Sequence, residues 1–571
     1  MAIDKKKVVK LLETIAVYLE LKGENPFKTS AYRKAAQALE RDDHSLNEIE
    51  DFKKMKGIGK GTAAVIDEYI ENGESETLRQ LQAEVPAGLI PLLDIQGLGG
   101  KKLAKLYQQL GVTDAESLKE ALEQGKVEEL EGFGKKSAEK ILKTLKEAGS
   151  RPERLPIALM LPIAEKIETF LKKTKTIKRF SRAGSLRRMR ETIKDLDFII
   201  ASNDPVQTKD ELLAYPEVKE VVSSGETKVS IIVNEGYDIG IDFRIVAPHE
   251  FASTLHHFTG SKDHNVAMRQ LAKQKQEKIS EYGVENAETG EILTFETEEQ
   301  FFHHFGLHFI PPEARENTGE VDAFKDSITL LKESDIRGDL HMHSTWSDGA
   351  QSIREMAEQS KAMGYEYIAI TDHSKYLRIA NGLNEERLRM QRKEIEKINN
   401  EMEDFHILAG IEMDILPDGS LDFDDDFLKE MDYVIASIHS SFNQSEEQIM
   451  KRLSAALENP HVDMIAHPTG RLIGRRSGYN VQLDKLIEGA KQTGTILELN
   501  ANPNRLDLSW EWLMKAQQSG VMIAINTDAH SYSMLEHMEI GVGAARKGWL
   551  RKESVLNTMT KKQLMKRLGI S

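Results

Sequence analysis

The sequence contains no cysteine among its 571 residues. That excludes disulfides and every thiolate metal site, so a bound metal has to be held by His, Asp or Glu. No apolar run reaches the roughly 20 residues that a membrane-spanning helix needs. The opening MAIDKKKVVKLLETIAVYLE spaces its apolar side chains like an amphipathic helix and lacks the apolar core of a signal peptide. A cytoplasmic protein is the expectation. Aromatics are scarce at 6%, and 77 Lys and Arg face 93 Asp and Glu, a net charge of −16. Such an average speaks against binding a polyanion. The charge is unevenly placed, however: residues 151–200 hold 13 Lys and Arg against 6 Asp and Glu, a local +7.

The length implies about three to five domains. A repeat stands out in the first 150 residues: KGIGKGTAAVI from Lys56, QGLGGKKLAKLY from Gln96 and EGFGKKSAEKIL from Glu131. Each is Gly-apolar-Gly followed by an amphipathic helix. The pairs are Gly57 and Gly59, Gly97 and Gly99, Gly132 and Gly134, trailed by Lys60, Lys101, Lys102, Lys135 and Lys136. Such a turn aims backbone N–H groups and a helix N-terminus outward, which suits a phosphate. One copy is an ordinary helix cap. Three copies with trailing lysines resemble the helix-hairpin-helix motif, which grips the DNA backbone without reading sequence. Residues 1–150 therefore read as all-α.

After Pro152, Pro156 and Pro162 strand-like runs appear: TIKRFSRAGS, DLDFIIAS, KVSIIVN and YDIGIDFRIV. In DLDFII, residues two apart share a face, so Asp195 and Asp197 project together while Leu196 and Phe198 face a core. Over Asp238–Val246 the same alternation sets Asp242 and Arg244 opposite Ile239, Ile241, Phe243 and Ile245. Two neighbouring strands can thus present Asp195, Asp197 and Asp242 to one point. Three carboxylates together call for cations, and hard oxygen ligands favour Mg²⁺ or Mn²⁺. Upstream, Gly184-Ser185 and Arg188 suit a triphosphate. The chemistry implied is two-metal phosphoryl transfer.

From residue 335 to 571 short strands (YIAIT, YVIASIH, MIAHP, TILELN, MIAINT) alternate with amphipathic helices, the α/β barrel pattern. At the strand ends stand His341, His343, Asp348, His373, Glu412, His439, His467, Asp528 and His530. Six of the nine histidines after residue 340 fall there, too many ligands for one ion. Arg505, after NANPN, is a candidate phosphate contact.

Gly184-Ser185 … Asp195-x-Asp197 … Asp242 resembles the palm of polymerase beta-like nucleotidyltransferases. Phe258-Thr259-Gly260-Ser261 with Asn265 and Arg269 is similar to the thumb of family X DNA polymerases. The resemblance implies that Phe258 and Gly260 exclude a ribose 2′-OH, that Asn265 touches the base, and that Arg269 touches the template. His257 stands where the vertebrate enzyme has Tyr. It further implies a lysine on the helix after the first hairpin for removal of a 5′-deoxyribose phosphate, but Val65 occupies that place. A 5′-phosphate-binding role, without efficient lyase chemistry, is the expectation for that region.

The strand-end ligands resemble the PHP domain, with a distorted seven-stranded barrel and three metals. By that resemblance His341, His343, Glu412 and Asp528 hold one ion, Asp348, His373 and His530 a second, and Glu412, His439 and His467 a third. Mn²⁺, Zn²⁺ or Fe fits such a set.

The expected chain is multidomain. It has a lyase-like helix-hairpin-helix region at 1–85, fingers with two more such motifs at 86–150, an α+β palm at 151–250 and a thumb at 251–315. A linker at 316–334 leads into a (β/α)7 PHP barrel at 335–571. As a whole it resembles a bacterial family X DNA polymerase with a C-terminal PHP domain. The resemblance implies gap filling from dNTPs in base-excision repair, 3′–5′ exonuclease activity and possible processing of abasic or blocked ends. The implied partners are gapped or primer-template DNA and dNTPs, acting on a monomer near the nucleoid. Two rival readings are a small-molecule phosphatase fused to a polymerase and a non-catalytic DNA-end scaffold.

Overall fold

The computed structural model describes residues 5–40, 42, 46, 49, 51–95, 98–130, 132–148 and 153–570. Two compact units divide the chain: Met1–Pro152 with His343–Glu358 and Leu377–Lys393, and Glu153–Met342 with Gln359–Tyr376 and Glu394–Ser571. Among the described residues no helix is long and apolar enough to cross a membrane.

The first unit is built on helices. In α1 (Lys5–Lys22), Val8, Leu12, Ile15 and Leu19 recur every three or four residues and are all buried. They pack with Ala35, Ala36 and Leu39 of α2 (Pro26–Glu40) and with Ala63 and Ile66 of α3 (Lys60–Asn72). Val65 lies in this same core, facing away from solvent. Helices α4 (Gly100–Leu110) and α5 (Lys135–Ala148) follow the later hairpins. The turn glycines Gly57 and Gly132 have φ of 106° and 93°, a region that a side chain disfavours.

The two largest sheets of the second unit have five and seven strands. The first has five strands: β1 (Ile177–Arg182), β2 (Leu196–Ser202), β3 (Val218–Ser224), β4 (Lys228–Asn234) and β5 (Asp238–Val246). Their spatial order is β1-β2-β5-β4-β3, and β2 runs parallel to β5. Phe198 and Phe243 stack beneath at 5.8 Å. The short helix α6 (Gly184–Arg187) precedes β2. Beyond β5, α7 (Phe251–Thr259), α8 (Lys262–Gln274) and α9 (Glu298–His304) gather a separate apolar cluster around Phe301, Phe302 and Phe305.

The second sheet is parallel, with seven strands in chain order: β6 (Gly338–Met342), β7 (Tyr367–Ile370), β8 (His406–Asp414), β9 (Tyr433–Ser437), β10 (Met464–Ile465), β11 (Ile496–Asn500) and β12 (Ile523–Asn526). Met342 bridges to Ala529, which brings the last strand back beside the first. The strands are buried along nearly their whole length, as parallel strands covered on both faces are. Helices such as α10 (Trp510–Gln518) and α11 (His537–Lys547) alternate with them. Segment 316–334, expected as a linker, holds the short helix Glu320–Ala323 and buries Glu320, Leu330 and Leu331.

Candidate functional site

The five-stranded sheet brings Asp197 and Asp242 directly opposite each other in the β2/β5 register, with Asp195 one residue before β2. All three are half-buried. Burial, with the charges of Asp242 and Asp195 added, pushes the Asp197 carboxyl up to about 6. Carboxylates that resist ionising together suit a divalent cation, and the all-oxygen donor set fits Mg²⁺ or Mn²⁺. Gly184 has φ 58°, and a Cβ there would stand 2.1 Å from Asp197 Oδ2. Only glycine lets the turn approach so closely.

Two supporting residues were not read from the sequence. Ser230 Oγ donates to Asp242 Oδ1 at 2.6 Å, and Lys228 Nζ lies 2.8 Å from Oδ2. Their signal was the alternation of Lys228 and Ser230 with buried Val229 and Ile231 on the strand beside Asp242.

Arg188 donates to the Thr259 carbonyl at 2.7 Å and to Glu316 at 3.2 Å. Its neighbour Arg187 binds Thr259 Oγ1 and Glu298, which also receives buried Arg315 at 2.6 Å. Burial would raise the Glu298 carboxyl, but Arg315 and Arg187 more than reverse this and hold it at about 2. Asn265 donates to the His257 carbonyl at 2.7 Å, and a Cβ on Gly260 would stand 2.6 Å from Asn265 Oδ1. Phe258 lies under the Arg244 guanidinium at 4.6 Å. Arg269 is exposed, as are Lys60, Lys101 and Lys135 beside the turns of Gly57, Gly59, Gly99, Gly132 and Gly134. Gly97 lies outside the described residues.

At the C-terminal ends of the barrel strands, Glu412 sits among four imidazoles. His341 Nε2 is 3.5 Å away, His373 Nδ1 2.8 Å, His439 Nε2 3.2 Å and His467 Nε2 3.0 Å. Potential ligand atoms of His373, Glu412 and His439 all lie within 4.8 Å of one another. Asp528 Oδ1 is 3.5 Å from His341 Nε2, and the His373 and His530 rings are 6.1 Å apart. His373, which the family resemblance pairs with Asp348 and His530, thus also faces Glu412. His343 and Asp348 follow β6 in a tight turn where Gly349 N donates to the Ser344 carbonyl at 2.8 Å. One carboxylate facing four imidazoles in a largely buried site is the donor chemistry of divalent transition metals.

A further layer escaped the sequence reading. Glu498 accepts from His341 Nδ1 and from the His467 backbone N–H, both at 2.7 Å, and from Asn526 at 3.0 Å. Asp414 lies 3.2 Å from His439 Nδ1, and Asn500 donates to Asp528 at 3.1 Å. These partners turn Nε2 of His341 and His439 inward. Burial would lower the His439 imidazole, but Glu412 and Asp414 raise it to about 10. His467 and Asp528 have φ of 27° and 53°, strain of the sort that clusters at functional sites. Arg505 Nε lies 3.6 Å from Asp528, at the rim of the cluster.

Four family models match: a helix-hairpin-helix domain over residues 3–75, a SAM-like helix-hairpin-helix tandem over 89–147, the DNA polymerase beta thumb over 254–316 and the PHP domain over 339–502. A probable phosphatase of Thermoanaerobacter sp. is 28% identical over 38% of this chain and 89% of its own length. Another from Acetivibrio thermocellus is 28% identical over 34% of this chain and 78% of its own. The DNA polymerase/3′-5′ exonuclease PolX of Bacillus subtilis is 62% identical over 98% of each chain. With helix-hairpin-helix modules, a polymerase beta thumb and a PHP barrel in one polypeptide, the chain belongs to the family of that Bacillus polymerase/exonuclease.

Proposed function

We propose that the chain fills short gaps in DNA from dNTPs at the Asp195–Asp197–Asp242 site and removes nucleotides from 3′ ends at the barrel site. The observation that carries this is the coexistence of the two donor sets, one all-carboxylate and one rich in histidine, in a chain 62% identical to a polymerase/exonuclease over 98% of each.

At the first site Asp195, Asp197 and Asp242 hold Mg²⁺ or Mn²⁺. Gly184, Ser185 and Arg188 receive the triphosphate, while Phe258, Gly260 and Asn265 bound the sugar and base. The hairpins and Arg269 grip the DNA backbone. Residues 1–85, 86–150, 151–250, 251–315 and 335–571 form the functional divisions, with 316–334 between the last two. At the second site His341, His343, Asp348, His373, Glu412, His439, His467, Asp528 and His530 hold two or three ions among Mn²⁺, Zn²⁺ and Fe. Bound cations at either site lower the pKa of the attacking oxygen nucleophile and neutralise phosphate oxygens. Glu498 and Asp414 fix the imidazoles of His341 and His439, and Arg505 meets the substrate phosphate. Base-excision repair is the setting this pairing suits, because trimming and filling at one gap need no exchange of enzyme.

The test separates the sites. Asp195→Ala/Asp197→Ala is expected to lose synthesis by about 1,000-fold or more and keep nuclease, and His341→Ala/His343→Ala the reverse. A folded double variant that lost both activities would end the two-site reading. A free phosphomonoester belongs in the same assay, since some relatives are named probable phosphatases. If it were hydrolysed faster than a primer end, the barrel would be a phosphatase instead.

A further inference from the structure

Lys547 ends α11 on the barrel side of the second unit and is 2% exposed. A buried ammonium needs partners, and this one reaches across to the palm. Its Nζ donates to Glu316 Oε1 at 2.6 Å and to the Arg188 carbonyl at 3.1 Å, and it lies over the Trp510 ring at 5.4 Å. Glu316 is shared. Arg188 Nε reaches it at 3.2 Å and Arg190 at 3.7 Å. Burial would raise the Glu316 carboxyl, but Lys547 and Arg188 more than offset this and hold it below its ordinary value. The contact is close along the backbone too. A Cβ on Gly543 would stand 2.9 Å from Met189, the residue after Arg188. Separately, Arg471 clamps Glu191 through two nitrogens at 2.7 and 3.1 Å, which holds the same turn without Glu316.

Arg188 rests on Glu316 and on the Thr259 carbonyl. To meet a triphosphate it must leave Glu316, and leaving a carboxylate that is only 11% exposed unpaired is costly. With Lys547 in place Glu316 keeps its shorter partner when Arg188 departs. Without Lys547 the carboxylate retains, among the described residues, only the more distant Arg190 as a charged partner.

We propose that Lys547, a residue of the barrel, is a positioning residue of the polymerase site: by holding Glu316 it frees Arg188 for the incoming nucleoside triphosphate. The inference rests on the reading of Arg188 as a triphosphate contact. It makes the barrel part of the machinery that binds dNTPs, apart from its own hydrolytic site.

The experiment is steady-state gap filling by the full-length chain, with dNTP KM and kcat read separately and 3′-end trimming of single-stranded DNA as control. Lys547→Met is expected to raise KM about tenfold, with kcat within about twofold and trimming unchanged. Adding Glu316→Gln to it removes the carboxylate that retains Arg188 and should return KM to within about threefold of wild type. Glu316→Gln alone, nearly isosteric and with an amide oxygen that still accepts from Lys547, should lower KM, because the Lys547 charge then repels Arg188 toward the phosphates, with denaturant unfolding as the check that this variant is folded. Arg188→Ala should raise KM, and Lys547→Met should add nothing to it. If Arg188→Ala left KM unchanged, the reading of Arg188 would fall and the inference with it. If Arg188→Ala raised KM but Lys547→Met did not, the positioning role alone would fall. A rise in KM for Glu316→Gln, or no recovery in the double variant, would overturn it even if Lys547→Met proved unstable.

Discussion

The carboxylates Asp195, Asp197 and Asp242 stand half-buried on an open sheet, whereas His341, Glu412 and His467 in the barrel are at most 1% exposed. The support differs in the same sense. Behind the barrel ligands lie Glu498, Asp414 and Asn500, each bonded to a potential ligand side chain. Around the palm carboxylates the geometry comes from the parallel register of β2 and β5 and from the bare α-carbon of Gly184. A more deeply buried charge cluster joins the palm to the thumb, where Arg187 and Arg315 grip Glu298. An imidazole has two nitrogens and a rotating ring, so it needs a partner to fix its tautomer and direction. A carboxylate on a paired strand has little such freedom. The proposed synthetic site is thus open around its carboxylates, and the proposed hydrolytic site is walled in around its imidazoles.

The largest expected effect tests whether backbone placement is the palm's main device. Gly184→Val puts a branched side chain where even a Cβ meets Asp197 Oδ2 at 2.1 Å. Gap filling should fall by about 1,000-fold while 3′-end trimming by the same preparation stays intact. Equal loss of both activities would break the contrast. Next is the Glu298 charge that Arg187 and Arg315 share. The Glu298 carboxyl is held at about 2, below its ordinary 4.5, so its ionisation stabilises the folded chain fully above about pH 4.5. That contribution, about 3 kcal/mol, is lost as pH falls from 4.5 through 2. In denaturant unfolding, the gap between wild type and Glu298→Gln should therefore narrow between pH 7 and pH 3. A gap independent of pH would show that Glu298 acts by packing alone. Third, Glu498→Gln should cost about 10- to 100-fold in metal affinity or trimming rate and leave synthesis untouched. Unchanged trimming across a Mn²⁺ titration would deny the barrel its supporting layer.

What could be read from the sequence follows from these two designs. Asp195, Asp197 and Asp242 were legible because strand alternation forces them onto one face, and the barrel ligands because they recur at strand ends. The supporting residues were hidden for physical reasons. Glu498 lies in ILELN, where an acid inside an apolar strand signals a buried partner but does not say which. Lys547 is 359 residues from Arg188, and no local pattern connects a lysine at a helix end to a turn so remote. Val65 was legible as a missing lysine, and its burial explains why a hydrophobic residue suits that helix face. The sequence also could not show that Arg188 rests on Glu316 and the Thr259 carbonyl.

The smallest effect decides the comparison most directly. Ser230 donates one hydrogen bond to Asp242 and Glu498 accepts one from His341, and the two distances are nearly equal at 2.6 and 2.7 Å. Their removal should not be equivalent. Asp242 is half-exposed and keeps Lys228 at 2.8 Å, so water and the ammonium replace the lost hydroxyl. Ser230→Ala should then cost about 1 kcal/mol, a fall of about fivefold in the rate of gap filling. His341 is fully buried, so water does not compensate, and the glutamine of Glu498→Gln offers a neutral amide oxygen in place of the carboxylate charge. If Ser230→Ala proved as damaging as Glu498→Gln, exposure would not be what sets the price of a supporting contact. The two sites would then differ in ligand type alone.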